Sequence, residues 1–357
     1  MTRSARPGVP PHMRAVLLLG HGGFDQLEYR ADVPVPVPAP GEVLLRVGAA
    51  GVNNTDINLR TGWYSKAAAT TGAQADDAGW TGSALSFPRI QGADACGEIV
   101  AVGEGVDARR IGERVLVDPM LRAQGQLALE QTRYFGSDCN GAFAEFVAVP
   151  AVNARRVDSA LSDVELASFP CSYSAAENML TRAGVIAGET VLVTGASGGV
   201  GSAAVQLARR RGARVLAVAS PAKAAAVGAL GADRVLDRDA SLVDALGRES
   251  VDAAIDVVGG PRFPELLEVL RRGGRYAVAG AISGPRVELD LRTLYLKDLR
   301  LLGCTVLEPE VFGNLIGYIE RGEIRALVSA TYPLAEIAAA QRDFLAKSHV
   351  GKIVLVP

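Results

Sequence analysis

One stretch limits what this chain can fold into: Gly195-Ala196-Ser197-Gly198-Gly199-Val200-Gly201. The apolar run Thr190–Thr194 leads into it. Beyond it Val200, Ala203, Ala204, Leu207 and Ala208 recur at helical spacing and mark one buried stripe. Gly212 ends that helix, and Arg214–Ala219 reads as a second apolar strand. Strand, helix and strand in this order close most simply as a right-handed parallel crossover, which puts the glycine turn at the carboxyl edge of a sheet. Glycines there let backbone approach a pyrophosphate, whose charge is held by free N–H groups and the positive end of the helix. The seven residues 195–201 are therefore expected to bind a dinucleotide.

A rival reading of the same letters is Gly195-x-Ser197-x-Gly199, the nucleophile elbow of an α/β-hydrolase, with Asp256 and His349 following in the usual order. An elbow needs several strands of the sheet before it, whereas here they come after the turn, and His349 lies within the last ten residues. The nucleotide reading is preferred.

A chain of 357 residues exceeds one ordinary core, so two domains are expected. A net charge of −2 offers no basic excess for nucleic acid or an anionic membrane, and no apolar run approaches a membrane span. The expected partner is a small molecule and the expected location the cytoplasm. Cys96, Cys139, Cys171 and Cys304 stand singly, without a C-x-x-C pair. Residues 1–12 are polar and proline-bearing without an apolar signal core, and are expected to be a disordered leader, with Met13 an alternative start.

From Met13 the pattern is short strands and turns: Arg14–Leu19, an extended link at Pro34, Pro36, Pro38 and Pro40, then Glu42–Val47, Ile99–Val102 and Arg114–Val117. This predicts a small, mostly antiparallel β domain. Among these strands Gly51–Tyr64 is too polar for a core strand. Asn53, Asp56 and Tyr64 either line a cleft, or Asn53 and Asp56 cap a short helix while Tyr64 packs under a loop.

Several ordered segments carry a specific resemblance: Pro40–Val47, Gly51-Val52-Asn53-Asn54-Thr55-Asp56, Gly92–Gly97 before Val102-Gly103, Gly112–Val115, Gly141–Phe146, the glycine turn and Gly351–Leu355. Together they resemble the medium-chain dehydrogenase/reductase superfamily over nearly the whole chain from Met13. The resemblance implies a Rossmann domain beside a discontinuous GroES-like substrate domain. In the zinc members the position of Asn53 is a cysteine ligand, and Ala93-Asp94 stands where a His-Glu pair would be. Only Cys139 falls where four structural-zinc cysteines would lie, and the chain has only His12, His21 and His349. No metal is expected. The match is to the zinc-less quinone oxidoreductases and enoyl thioester reductases, in which a tyrosine like Tyr64 serves the substrate carbonyl or supplies a proton. Ser65–Ser86 is longer than the family pattern and reads as an insertion beside the cleft, where Trp80 either covers substrate or pins the loop.

Ser162-x-x-Glu165 and Ser174-x-x-Glu177 read as capping boxes for helices starting near Asp163 and Ala175. Strands at Arg234–Leu236, Ala253–Val258, Tyr276–Ala279 and Leu299–Cys304 then complete six parallel strands, an α/β doubly wound sheet. Ala219, Ser220 and Lys223 follow the second strand where an NAD site would carry a carboxylate; a hydroxyl and an ammonium suit a 2′-phosphate, so NADPH is expected. Val258 and Gly280-Ala281-Ile282 end later strands where small residues approach a ribose and a nicotinamide. The expected domains are 13–157 with 308–357 for substrate and 158–307 for the dinucleotide, the tail returning through a helix at Leu334–Ala346 and a strand at Lys352–Val356.

These features predict NADPH-dependent reduction of a C=C bond conjugated to a carbonyl, or of a quinone, with Tyr64 and Asn53 at the oxygen and Asp56 orienting the loop. The alternatives are a zinc-independent alcohol or ketone oxidoreductase and a non-catalytic NADPH-binding protein. By resemblance, a homodimer is expected.

Overall fold

Strands buried on both faces read as near-continuous apolar runs, and the runs of the second half form one parallel sheet. The computed structural model describes residues 8–66, 77–122 and 132–357. Its chain clusters into two compact units, one reaching Cys171 and resuming at Ala326–Ser348 and Lys352–Pro357, the other Ser172–Arg325 with His349–Gly351.

In the second unit β10 (Thr190–Val193), β11 (Arg214–Ala219), β12 (Arg234–Asp237), β13 (Val251–Asp256), β14 (Leu270–Val278) and β15 (Arg300–Gly303) lie in the order β12-β11-β10-β13-β14-β15. Every pairing is parallel. This is the doubly wound sheet expected from the sequence, with its reversal of strand order beside β10.

The first unit is built on a seven-stranded, mostly antiparallel sheet. It uses β3 (Glu42–Gly51), β4 (Cys96–Val102), β5 (Arg114–Val117), β8 (Phe146–Pro150), β9 (Ala154–Arg156), β16 (Val328–Pro333) and β17 (Lys352–Val356). Two-stranded antiparallel pairs are formed by β1 (His12–Leu18) with β2 (Leu27–Pro34), and by β6 (Met120–Leu121) with β7 (Arg133–Tyr134). Strand β17 begins and ends where the sequence placed it and pairs β3 through Val354↔Gly51 and Leu355↔Ala50.

Three expectations change. The divides lie at 171/172 and 325/326 instead of 157/158 and 307/308. The helix α2 (Asp163–Leu166) packs on β3, so its residues stay with the first unit. The helix Val311–Glu320 belongs to the second, where Tyr318 donates to Glu177 at 3.1 Å. Residues 1–7 of the expected leader lie outside the described residues, but Pro11 accepts a backbone bond from Val35 and His12 opens β1, so the leader's end is ordered. Of the two capping boxes, Ser162–Glu165 caps α2 as read. The next helix, α3, runs Pro170–Arg182, so Ser174 is interior. Proline is pre-set for the first helical position, and it starts the helix a turn early.

Candidate active site

In the second unit the turn after β10 is made of backbone. Gly198 N–H closes on Gly195 O at 3.0 Å, and Ser202 N–H makes the first helical bond to Gly198 O at 2.9 Å, opening helix α4 (Gly199–Arg210). The amides of Gly199, Val200 and Gly201 are thus left over by the helix and directed along its axis. Gly195 holds φ 57°, and a Cβ on Gly201 would lie 2.2 Å from Gly195 O. Ala196 is buried beneath, Ser197 and Val200 are half-buried, and Gly198 is exposed. A glycine-rich turn with spare N–H groups, open to solvent at Gly198, fits a diphosphate.

Asp256, at the end of β13 and 0% exposed, fastens this edge. It accepts from the Thr194 hydroxyl, from Val258 N–H at 2.9 Å, from Gly259 N–H at 3.2 Å and from Tyr276 Oη at 2.5 Å. The hydrolase reading needs this carboxylate for a histidine, and its acceptor sites are spent. Ser283 N–H donates to Val258 O at 2.8 Å, which brings the Gly280-Ala281-Ile282 segment to the same edge, with Ile282 57% exposed.

At the end of β11, Ser220 caps a short 3₁₀ turn through Lys223 N–H at 2.9 Å. Arg238, not singled out from the sequence, joins them, its N–H bonded to Ala219 O at 3.0 Å. Burial, then the Arg238 charge, hold the Lys223 ammonium below its ordinary pKa. Two cations set near each other suit an anion. Only the parallel register of β11 with β12 brings Arg238 here, so no local signal marks it.

The first unit gathers the other predicted residues. Asn53 precedes helix α1 (Asn54–Thr61), and its N–H donates to Asp56 Oδ2 at 2.8 Å, so the capping reading of this pair is what the geometry shows. The Asn53 amide is engaged at both ends: Nδ2 donates to Asp94 Oδ2 at 2.8 Å, and Oδ1 accepts from Lys352 Nζ at 2.5 Å. Lys352 Nζ also donates to Asp94 Oδ2 at 2.7 Å, and Asp94 Oδ1 takes Cys171 N–H at 2.5 Å. Exposures of 6% for Asn53, 1% for Asp56, 0% for Asp94 and 2% for Lys352 make this a buried ionic network. Gly51 admits it: a Cβ there would stand 2.4 Å from Asp94 Oδ2 and 2.9 Å from Ala167 O. Burial pushes the Asp56 carboxyl up to about 7, against its bond from Asn53 N–H and the Lys352 charge, with Asp94 adding to the rise.

Tyr64 follows α1 just past Gly62. Burial pushes its pKa well up, with the Asn58 side chain acting against the rise, so it stays a neutral phenol. Cys171 and Asp56 lie close enough to add to that rise. Tyr134 Oη is 3.1 Å from Cys171 Sγ, and burial pushes that thiol up to about 12. Trp80 stacks on Tyr134 with ring centroids 4.6 Å apart, and its N–H reaches Ser137 Oγ at 3.2 Å. Both contacts pin its loop; residues 67–76 of the insertion lie outside the described residues. Tyr134, Cys171, Asp94 and Lys352 were not proposed as site residues from the sequence.

Of the positions matched to zinc ligands, Asn53 offers an amide oxygen already bonded to the Lys352 ammonium and Ala93 offers no donor, while Asp94 beside it is paired with the same ammonium. Among the described residues no three His, Cys, Asp or Glu side chains are grouped to hold a metal.

A parallel nucleotide-type sheet and a β unit carrying a buried polar network define a two-domain dehydrogenase architecture. The profile of the alcohol dehydrogenase GroES-like domain matches residues 39–159, and that of the zinc-binding dehydrogenase domain matches 199–321. The acryloyl-coenzyme A reductase of Metallosphaera sedula is 32% identical, covering 96% of this chain and 99% of its own. The quinone oxidoreductase of Rattus norvegicus is 29% identical, covering 96% and 98%. A crystal structure of a Sinorhizobium meliloti protein, named as a candidate alcohol dehydrogenase, is 50% identical with a TM-score of 0.90 and 98% coverage of both chains. A 2-octenoyl-CoA carboxylase reductase, solved with NADP and 2-octenoyl-CoA, is 29% identical with a TM-score of 0.84, covering 98% of this chain and 88% of that one. The chain belongs to the medium-chain dehydrogenase/reductase superfamily, on its quinone oxidoreductase and enoyl reductase-like branch.

Proposed function

We propose that this chain is an NADPH-dependent, zinc-independent oxidoreductase that reduces the C=C bond of an α,β-unsaturated carbonyl compound, or a quinone. The observation that carries the reading is the ammonium of Lys352 bonded to Asn53, which stands where the zinc enzymes place a cysteine ligand, and to Asp94, the neighbour of Ala93, which stands where they place a histidine. A polarising dication has no place beside a fixed ammonium. A conjugated acceptor needs less: conjugation spreads the incoming charge, and one aligned donor holds the oxygen.

Bound NADPH supplies the hydride. The amides of Gly199, Val200 and Gly201 would hold its diphosphate, Ser220, Lys223 and Arg238 its 2′-phosphate, and the Val258 and Gly280-Ala281-Ile282 edges its ribose and nicotinamide. Tyr64 donates a hydrogen bond to the substrate oxygen as negative charge arrives. Its raised pKa makes it a donor of a hydrogen bond and a poor source of a proton. Asn53, with both ends of its amide engaged, holds the start of α1 in place. Asp56 orients the same turn.

The test follows NADPH consumption with a panel of enones, enoyl thioesters and quinones, comparing wild type with Tyr64→Phe. Losing one oxyanion donor is expected to lower kcat by about a hundredfold. An unchanged rate removes Tyr64 from the mechanism. The name of the Sinorhizobium relative favours a second reading, alcohol or ketone turnover, and steady oxidation of saturated alcohols by this chain would select it.

A homodimer is part of the proposal. Strand β15 ends its sheet, and Leu291, Tyr295, Leu296 and Leu301 nearby are exposed. Light scattering at the monomer mass would remove it. Four free cysteines support a reducing, cytoplasmic setting, and no helix among the described residues is long and apolar enough to cross a membrane.

A further inference from the structure

Lys352 has no obvious work in a sheet. It opens β17, where alternation would tolerate a solvated lysine, yet only 2% of it is exposed. A buried ammonium is costly unless paired and hydrogen-bonded. Its ammonium donates to Asp94 Oδ2 at 2.7 Å and to Asn53 Oδ1 at 2.5 Å.

The chemistry of these three side chains fixes their orientation. Lysine only donates and an ionised carboxylate only accepts, so the amide between them has one allowed orientation: oxygen toward Nζ, nitrogen toward Asp94. Asn53 Nδ2 is 2.8 Å from Asp94 Oδ2 and 3.4 Å from Gly51 O, which completes the amide's donors. The same residue stands at the N-cap of α1, and its N–H donates to the Asp56 carboxylate. Tyr64 lies two residues beyond the Gly62 cap of that helix. The chain's last strand therefore reaches the first turn of the helix that carries the phenol. The other ionisable groups around this network are Asp56, Tyr64, Tyr134 and Cys171, all acids, so Lys352 is the cation among them.

We propose that Lys352 is the positioning residue of this site: its ammonium locks the Asn53 amide and the Asp94 carboxylate, and through them the α1 turn that presents Tyr64, while supplying the fixed positive charge of the network. The proposal rests on the reading of Tyr64 as the hydrogen-bond donor to substrate. It assigns to Lys352 a role that depends on charge and hydrogen bonding and not on side-chain bulk.

The experiment uses the full-length protein with NADPH and the best acceptor of the enone and quinone panel. Lys352→Ala is expected to lose about a hundredfold in kcat, the scale of a displacement near 1 Å at a reacting group. Its NADPH dissociation constant, read by fluorescence titration, should stay within about twofold, since the cradle lies in the other unit. Adding ethylammonium should restore at least about a tenth of wild-type kcat, while propanol, of similar size and uncharged, should not. A purely structural role predicts equal rescue by both or by neither, and either result overturns the proposal.

An unpaired Asp94 carboxylate can stop Lys352→Ala from folding, and the double variant Lys352→Met with Asp94→Asn removes both charges together. It should fold, bind NADPH and share the loss in kcat. Wild-type kcat in the double variant overturns the proposal. If wild type itself reduces no acceptor, it is the assigned reaction that has failed, and this is seen before any variant is compared.

Discussion

Gly201 offers the sharpest test of the nucleotide cradle. Alanine at the third residue of a helix ordinarily gains up to about 1 kcal/mol over glycine. Here the added Cβ would stand 2.2 Å from Gly195 O, 2.7 Å from Gly195 C and 2.8 Å from Ala196 Cα. All three are backbone atoms, and none can swing aside as a side-chain tip would. The turn must retreat from the helix by about 1 Å, an overpacking cost of roughly 1–3 kcal/mol against that small gain. The retreat moves the cradle itself, because Gly195 O accepts the Gly198 N–H that closes the turn at 3.0 Å. Losing one amide–phosphate bond of the charge-assisted kind costs about 1.5–3 kcal/mol, so Gly201→Ala should weaken NADPH binding by about ten- to a hundredfold. Fluorescence titration measures it, with a thermal melt reporting the fold. Gly228→Ala is the control, since a Cβ there meets nothing within 4 Å, and it should bind as wild type does. If Gly201→Ala also binds NADPH with the wild-type constant, these amides do not hold the diphosphate.

Two further outcomes are expected. Lys223→Ala and Arg238→Ala should each weaken NADPH severalfold and leave NADH unchanged, the loss shrinking at high salt; equal effects on both nucleotides would place the pair elsewhere. Asp56 titrates near 7 in the folded chain and near 3.8 as its ordinary value, so the folded state holds the proton more tightly. Its contribution is greatest below about 4 and is lost as pH rises through about 7, by up to about 4 kcal/mol. Urea unfolding at pH 5 and pH 8 should show this decline in wild type and a flatter trend in Asp56→Asn, and parallel trends would refute it.

The second unit was legible because its physics is local. A strand buried on both faces is written as consecutive apolar residues, as at Val191–Val193 and Val215–Ala219, and a tight turn against a helix is written as glycine. The six strands could therefore be read in order. What failed there depended on pairing between distant segments: Arg238 enters only through the register of β12 on β11, and the start of α3 turned on Pro170.

The first unit was legible in type more than in arrangement. Asn53, Asp56 and Tyr64 stood out as polar residues crowded into one segment, and the structure does gather them. But the sequence left a cleft and a helix cap as open alternatives, since an amide or carboxylate can serve either until its partners are known. Those partners are remote: Lys352 is 299 residues from Asn53 and 258 from Asp94. A lone lysine after a glycine looks solvated in any local window. It becomes a buried cation only when β17 pairs with β3 and sets residue 352 beside Asp94. A departure from a metal-binding pattern could be read along the chain as missing ligands, whereas the charge standing in their place could be read only across the sheet.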